Sequence, residues 1–367
     1  MDIQFFQEIP YQVLEYTKSL EKEKDFEYYP SKSGLTKHGE LLSLGFSSYA
    51  LKIYFMSSEW QKLTKEKQLG WVRYINSFQG NKKLLPKNSY IDSSFYNYYH
   101  NLSFKNEAKF KMKEILNFTI GKNYETKKGT ISKSINAETK QAVATLFELG
   151  HTNEKKIENI YEKDNDLTNY LESLNWAKPW SAGAQFSSLC VFSKTQDFNF
   201  ESSLEGFITK LANSETGSYY TGQPKEIREV INGAMKVISG LDWLDVNIHY
   251  PEKLIDFCLD NTPVLEGCDI VDFIYVLYKS SKQSNHRRRE VNELFKTLLL
   301  DIKKLYFEEE KGFSYFLNKS QTHYYGVEIT KGDNVADLHG SILCLWGVLM
   351  ILETLDSLDE KFNIIKP

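Results

Sequence analysis

Two unusually apolar stretches of the chain each begin with side chains that can do chemistry. The first, 265–278, carries a thiol and three carboxylates, and the second, 336–352, begins with a carboxylate and an imidazole. A helix that is apolar on every face is buried, so these polar groups need partners, a metal ion or a cavity. The groups are Glu266, Cys268, Asp269, Asp272, Asp337 and His339.

The carboxylates of this set suit acid–base catalysis. Asp269 and Asp272 are i, i+3 neighbours, so a helix places them side by side. Two close carboxyl groups can split their pKa values into acid and base roles, as glycosidases require. Asp337 is a further candidate, although it also occupies the position of a helix N-cap. Glu138, at the start of a predicted helix, is a candidate from elsewhere in the chain, or a charge favoured in a first helical turn.

A second set of residues suits substrate binding. Four aromatic residues in loops can stack on a sugar or an isoprenoid, or they can wedge outer helices together. Asn232, an amide on the flank of an apolar helical stripe, either lines a site or faces solvent. Gln185, inside an apolar helix, needs a hydrogen-bond partner if it is buried. That partner is either a substrate or, in the structural interpretation, the protein backbone. These residues are Trp176, Trp180, Tyr219, Tyr220, Asn232 and Gln185.

Helical periodicity dominates the chain, and no alternating run is long enough to predict a sheet. The lysine-rich stretch 122–133 is expected to be an exposed loop. The predicted helices are 11–22, 40–55, 59–78, 106–118, 136–149, 154–174, 182–192, 207–213, 227–241, 251–259, 268–278, 291–306 and 335–355.

Amphipathic helices alternate along the chain with helices that are apolar on most faces. This alternation predicts an outer ring of helices around an inner, buried ring. We therefore expect an all-α protein, an α/α toroid of about six or seven helical hairpins, formed by a single domain over residues 1–367. A curved open solenoid is the main alternative.

The double ring and the Gln79-Gly80 ending of the helix at Trp71 resemble the terpenoid cyclase and protein prenyltransferase β-subunit superfold. In the prenyltransferases, an acidic residue two before a cysteine and a later histidine bind zinc. Glu266-Gly267-Cys268 is similar to the first part and Asp337-Leu338-His339 to the second. The aspartate-rich motifs of the class I and class II terpene cyclases are absent from the sequence.

Zinc is the cofactor that this resemblance implies, with Cys268, His339 and Glu266 as its ligands. A catalytic zinc keeps an open position beside three protein ligands, and thiolate and imidazole suit it. Asp269, Asp272 or Asp337 are alternative third ligands. A buried thiol, a histidine at a helix start and aspartate N-caps are the purely structural interpretation.

The leading functional hypothesis is an enzyme of terpenoid cyclase- or prenyltransferase-like fold with a polar central cavity and zinc as a candidate cofactor, whose substrate and reaction are unassigned. We expect its partner to be a small-molecule isoprenoid or glycan substrate. The first alternative is a glycan-active toroid, either a hydrolase or lyase or a protein of polysaccharide biosynthesis. The second is a binding scaffold without catalysis. No HExxH, P-loop, GxGxxG or GxSxG motif occurs in the sequence. Their absence argues against a metalloprotease, a nucleotide-binding protein and a hydrolase with a nucleophile elbow.

Composition limits the partners and the compartment. The net charge of −4 and pI of about 6.1 do not favour nucleic acid as a partner. The four cysteines form no CxxC pair, which favours reduced thiols and a cytoplasmic protein. We expect no signal peptide at the N-terminus and no transmembrane segment, because no uncharged run reaches the roughly 18–20 residues required.

Overall fold

The computed structural model describes residues 3–83, 85–121, 124–158, 164–223 and 226–367. These residues form fifteen α-helices, one short 3-10 helix and three two-stranded β-ribbons. The predicted all-α class is therefore confirmed at the level of secondary structure.

The helices and strands follow one another in this order. The helices are α1 (Ile3–Lys18), α2 (Lys37–Leu41), α3 (Leu44–Met56), α4 (Lys65–Asn76), α5 (Ser93–His100), α6 (Phe104–Ile120), α7 (Lys127–Glu148), α8 (Asp164–Ser173), α9 (Pro179–Gln196), α10 (Glu201–Thr209), α11 (Ile227–Trp243), α12 (Pro251–Leu259), α13 (Gly267–Gln283), α14 (Arg288–Lys303) and α15 (Leu338–Thr354). The strands are β1 (Gln79–Gly80), β2 (Ser89–Tyr90), β3 (Tyr306–Phe307), β4 (Gly312–Phe313), β5 (His323–Tyr324) and β6 (Val327–Glu328).

Six helices contact one another in a closed order. Helix α3 contacts α7, α7 contacts α9, α9 contacts α11, α11 contacts α13, α13 contacts α15, and α15 contacts α3. We call these six the circuit helices. The sequence explains their central place, because α13 and α15 are buried on nearly every face and have no amphipathic alternative.

The circuit helices run parallel to one another. Between α11 and α13, Lys236 contacts Asp272 and Asp242 contacts Lys279, so residue numbers increase in the same direction along both helices. Because all six are parallel, their amino ends lie together at one end of the circuit. The pairs that establish the other directions are Gly45–Gln141 and Lys52–Glu148 for α3–α7, Asn136–Gln185 and Lys140–Cys190 for α7–α9, Ser187–Ser239 and Cys190–Gly240 for α9–α11, and Tyr275–Trp346 and Tyr278–Glu353 for α13–α15.

The other long helices pack against the circuit. Helix α1 contacts α3 and α15, α14 contacts α13 and α15, and α12 contacts α13 and α14. These helices are amphipathic, as their sequences predict. In α14, for example, one stripe is buried and the opposite face is exposed; the stripe is Val291, Phe295, Leu298, Leu299 and Ile302.

Helix α15 is the part of the chain that most resembles a membrane span in composition. Its apolar surface is covered by protein, since it packs against α1, α3, α13 and α14. Within the described ranges, no helix combines the length and apolar character needed to cross a bilayer.

The last residues of the chain contact four circuit helices, three of them at their carboxyl ends and α15 near its middle. The side-chain amide of Asn363 donates to the Phe55 carbonyl of α3, and the Lys366 amide donates to Glu148 of α7. Two indole N–H groups, one from α11 and one from α15, donate to carbonyls of residues 365 and 367. The carboxyl-terminal end of the circuit is therefore covered, and its amino-terminal end is the candidate entrance.

Several predicted boundaries are wrong, each for a local reason. The predicted helix 40–55 divides into α2 and α3, because Asp92 accepts the backbone N–H groups of Ser43 and Leu44 and starts a new helix there. Helix α7 begins at Lys127, capped by Thr126, so the predicted loop 122–133 is largely helical, with 122 and 123 outside the described residues. In the predicted helix 154–174, residues 154–158 are not helical and 159–163 lie outside the described residues.

Candidate functional site

The structure brings the two residues of the sequence-predicted pair, Cys268 and His339, to the same aromatic ring. The Tyr315 hydroxyl and the Cys268 thiol are close enough that each affects the pKa of the other. On the other side, the ring of Tyr315 lies 5.1 Å from the imidazole of His339, measured between centroids. The first residues of α13 and α15 therefore share one neighbourhood at the amino-terminal end of the circuit.

A chain of side-chain contacts continues from His339 to a buried carboxyl group. The ring of Tyr49 stacks on His339 at 4.6 Å between centroids, and its hydroxyl lies 3.2 Å from Nε2. Tyr49 lies edge-on to Tyr324, and the Tyr324 hydroxyl donates a hydrogen bond to Glu138. We call this set the aromatic arc; its members are Glu138, Tyr324, Tyr49, His339, Tyr315 and Cys268.

The β5–β6 ribbon supplies one end of the aromatic arc. Its two-residue turn, Tyr325-Gly326, has positive φ at both positions, the backbone of a tight hairpin turn. Gly326 is required for a second reason, because a β-carbon there would lie 2.5 Å from the Tyr99 hydroxyl. On the facing helix, a β-carbon at Gly45 would overlap the Tyr324 hydroxyl. Glycine at 45 therefore makes room for the bond between Tyr324 and Glu138.

A set of charged contacts between α11 and α13 adjoins the arc. Asp269 accepts a hydrogen bond from Asn232 at 2.6 Å and pairs with Arg228 at 2.8 Å. One turn further, Asp272 pairs with Lys236 at 3.4 Å. These contacts bring three of the predicted site residues, Asn232, Asp269 and Asp272, into one cluster.

Arg228 joins two more predicted residues to this cluster. Its guanidinium lies 3.5 Å from Glu266 and 5.4 Å from the centroid of the Trp180 ring. A cavity of about 170 Å³ lies beside Arg228, lined by Asn232, Asp269 and apolar side chains of the same two helices.

Three polar atoms of this region are buried and make no hydrogen bond with a described residue. They are Oδ2 of Asp269, Oδ2 of Asp272 and Nδ1 of His339. The Asp272 oxygen keeps its ion-pair contact with Lys236, but the geometry is not that of a hydrogen bond. Buried polar atoms are nearly always paired, so each of these orphans indicates a place where water or a polar ligand can bind. Six further buried side-chain atoms of the described residues are also orphans, among them Oε2 of Glu148 and Oε1 of Gln321.

Burial shifts the protonation equilibria of these groups in different directions. Burial raises the pKa of Glu138 to about 8, although the Tyr324 hydroxyl opposes this shift. Burial also raises the pKa of Asp272, to about 6, against the effect of Lys236. The pKa of His339 falls to about 3, through burial and the nearby Lys236 charge. At neutral pH Glu138 is thus mostly protonated, Asp272 mostly ionised and His339 neutral.

Several of these side chains retain accessible surface although protein surrounds them densely. Cys268, His339, Tyr325 and Lys140 are only partly buried by exposed area, yet burial dominates the pKa shift of each. Surface that a water-sized probe reaches deep inside a protein belongs to an internal space. The accessible surface of Cys268, His339 and Tyr325 indicates a space beside the aromatic arc. Glu138 and Asp272, at 5% and 2% exposed, contribute almost no surface to it.

Two predicted site residues have structural partners. Asp337 is the N-cap of α15: one oxygen accepts from Gly340, and the other accepts from the backbone N–H groups of Tyr315 and Gln321. Gln185 accepts hydrogen bonds from Asn136 and Tyr170 and lines a separate cavity of about 560 Å³.

The remaining predicted aromatic residues lie among helices outside this cluster. Trp176 is buried against Phe207 and donates its indole N–H to a backbone carbonyl. Tyr219 is buried with its hydroxyl near His249, and Tyr220 accepts a hydrogen bond from a threonine in the same turn. These contacts match the alternative that aromatic turns wedge helices together.

The predicted zinc ligands do not form a complete set. Cys268 and His339 share Tyr315 as a neighbour, and Nδ1 of His339 is without a partner. Glu266 instead faces Arg228, and in the described part of the chain no three His, Cys, Asp or Glu residues are grouped as metal ligands. We therefore derive no chemical step through zinc.

Sequence reasoning missed the tyrosines of the arc and a buried lysine. Tyr49 and Lys140 lie inside helices for which the sequence pattern gives no sign of a functional site. Tyr324 and Tyr325 lie in a stretch that the sequence predicts to be a loop, and Tyr325-Gly326 is not one of the dipeptides that usually signal a hairpin turn. Tyr315 lies in the segment Gly312-Phe313-Ser314-Tyr315-Phe316 that follows α14.

Comparison with known proteins gives no relative: no family model, no curated protein and no solved structure matches this chain.

Proposed function

We propose that this chain is an enzyme with an α/α-toroid fold, whose circuit helices are the inner ring. The proposal places its active site in the internal space at their amino ends. There, Glu138 acts as a general acid and Asp272 as a general base on a bound small molecule. The closed order of helix contacts and their common direction support the toroid.

The observation that carries the proposal is the group of orphan polar atoms on Asp269, Asp272 and His339. Leaving one buried polar atom unpaired costs about 1–3 kcal/mol. Two of these atoms lie in the first two turns of α13 and one in the first turn of α15, and leaving all three unpaired is costly for a scaffold whose only task is packing. A bound substrate with polar groups would satisfy them.

The protonation states fit an acid–base pair. Glu138 is 5% exposed, and its pKa of about 8 keeps it protonated at neutral pH while it accepts the Tyr324 hydroxyl bond. Its second oxygen is then free to donate a proton. Asp272, with a pKa of about 6, is ionised and can accept one. Two carboxyl groups with separated pKa values are the usual basis for assigning acid and base roles.

An isoprenoid is the first substrate class that we propose. The aromatic arc is rich in tyrosine, and the ring of Tyr315 keeps accessible surface; aromatic rings suit a hydrocarbon chain or its cationic intermediates. A glycan is the second class, which the separated carboxyl groups favour, because tyrosine rings also stack on sugars.

The decisive experiment is a turnover screen of the full chain by mass spectrometry. One panel contains prenyl diphosphates and linear polyenes, and the other contains plant, fungal and bacterial oligosaccharides. We expect product from one panel, with the rate falling at least about a hundredfold in Asp272→Asn and Glu138→Gln, the usual scale for general acid–base catalysis.

Asp242→Asn is the matched control, because Asp242 is an ion-paired carboxylate on the same helix as Lys236 but near its carboxyl end. It should keep the wild-type rate per folded molecule. Turnover that is unchanged in both site variants, or no product from either panel, would refute the proposal.

A further inference from the structure

Helix α6 is an amphipathic helix whose apolar side is exposed. Every residue of α6, all of them described, keeps at least part of its surface accessible. Phe104 and Phe118 are 91% and 93% exposed, and Met112 and Ile115 are 57% and 55% exposed. Their spacings of eight, three and three residues place all four side chains on one side of the helix. We call these four side chains the apolar face of α6.

The opposite side of α6 holds the helix against the rest of the chain. The ring of Phe110 lies 6.4 Å from that of Tyr99 in α5, between centroids, and Glu107 pairs with Lys127 of α7 at 2.7 Å. The helix therefore already has a packing surface. Single exposed apolar side chains are common, but several large ones on one helical face mark a surface that binds a partner.

Lysines surround the apolar face of α6. Lys111 lies within it and Lys105 and Lys109 lie along one edge, and all three are exposed. The segment 82–133, which contains α6, has eleven lysines and four acidic residues, a net charge of +7 in a chain whose total is −4. Positive charge is therefore concentrated in the part of the chain that carries this face.

A cavity of about 300 Å³ lies beside α6 and has the same excess of positive charge. Lys83, Lys127 and Lys128 line it, together with Glu114 of α6, the one carboxylate among its described lining residues. Lys127 is paired with Glu107, which leaves Lys83 and Lys128 against Glu114. This balance suits the phosphate of a lipid headgroup.

We propose that α6 is a membrane-docking helix, which lies in the interface of a bilayer that contains anionic phospholipids. Its apolar face enters the boundary between headgroups and acyl chains, and the lysines at its edge meet the headgroup phosphates. Lys111, within the face, extends its ammonium back to the same level. The inference is independent of the proposed function.

Charge favours a bilayer over a second copy of the chain as the partner. Two copies that met through this face would bring two segments of net charge +7 together, and like charges repel. An anionic bilayer supplies the opposite charge and an apolar layer at once. The nearly complete exposure of Phe104 and Phe118 also suits a fluid surface, which receives protruding side chains without a preformed pocket.

Vesicle flotation with the full chain tests the inference. One set of vesicles is phosphatidylcholine alone, and the other contains about one third phosphatidylglycerol. We expect binding to be at least about tenfold tighter to the anionic vesicles, since each lysine near such a surface strengthens binding roughly fivefold. Salt at about 1 M, where the screening length is about 3 Å, should remove most of this difference.

Two double variants separate the apolar from the charged contribution. Phe104→Ser with Phe118→Ser should weaken binding to anionic vesicles at least about tenfold. Lys105→Gln with Lys109→Gln should weaken it roughly twentyfold and leave binding to phosphatidylcholine unchanged. Leu300→Ser is the matched control, because Leu300 is 49% exposed on α14, outside the lysine-rich segment, and this variant should bind as wild type does. All three variants should unfold in urea as wild type does, because the replaced side chains are exposed.

Each other outcome overturns the inference. Wild-type chain that does not float with anionic vesicles does so, and so does binding that Phe104→Ser with Phe118→Ser leaves unchanged. Equal binding to both kinds of vesicle contradicts the role of anionic lipid. A dimer that the phenylalanine variant dissociates, without vesicle binding, assigns the face to a second copy. Lower stability of that variant would show that the rings pack on the protein.

Discussion

Replacement of Asp337 by asparagine separates a structural role for this carboxylate from a catalytic one. One oxygen of Asp337 accepts the Gly340 N–H at 2.7 Å, which starts α15. The other accepts the N–H groups of Tyr315 at 2.7 Å and Gln321 at 2.9 Å. The side chain is 1% exposed, so water cannot replace these bonds.

The magnitude follows from the number of donors left unpaired. Asp337→Asn keeps an oxygen for Gly340 but turns an amide toward the N–H groups of Tyr315 and Gln321. Each buried donor that loses its acceptor costs about 1–3 kcal/mol, which gives roughly 2–6 kcal/mol for the two. We expect a decrease of about 4 kcal/mol in the free energy of unfolding.

Urea unfolding followed by circular dichroism and tryptophan fluorescence measures this change. Thr64→Ala is the matched control, because Thr64 also caps a helix but accepts a single exposed N–H, at 3.3 Å. Its loss should cost about 1 kcal/mol or less. If Asp337→Asn costs no more than Thr64→Ala, the structural assignment is refuted and the catalytic interpretation of Asp337 returns.

Three further predictions concern the candidate site. Turnover should rise with pH as Asp272 ionises near pH 6 and fall as Glu138 loses its proton near pH 8, so a flat profile of kcat/KM over pH 5–9 contradicts both roles. Gly45→Ala should displace the Tyr324 hydroxyl, cost about 1–3 kcal/mol in urea unfolding and abolish turnover; wild-type stability would show that the contact is not tight. The zinc prediction requires about one zinc per chain by plasma mass spectrometry, decreasing in Cys268→Ser, and is contradicted by active, zinc-free protein.

The sequence predicts the helices best where composition leaves no alternative. Helix α12 has the predicted bounds, since Pro251 begins it, and the apolar runs of α13 and α15 are buried as expected. The three ribbons escape prediction, because each strand has two residues and no alternation can show in so short a run. The break between α2 and α3 depends on Asp92, a residue about fifty positions away, and no local pattern reports it.

The candidate site is predictable in part. The polar starts of α13 and α15 single out Cys268 and His339, and the structure places both beside Tyr315, because parallel helices bring their amino ends together. Tyr49 and Lys140 could not be found in this way, since each lies inside a helix and faces the interior only through the arrangement of its neighbours. Pairing across the fold, rather than local spacing, decides which polar side chains meet.

The contact between α3 and α15 also bears on how the chain acquires its structure. Tyr49 and His339 are 290 residues apart, so the circuit cannot close until nearly the whole polypeptide has been synthesised. Until α15 has been synthesised, the apolar flank of α3 that packs against α15 is exposed. Contacts between residues so far apart in sequence form slowly, and intermediates that lack them expose apolar surface and aggregate. We therefore expect recovery from denaturant to be slow, dependent on protein concentration and improved by chaperones.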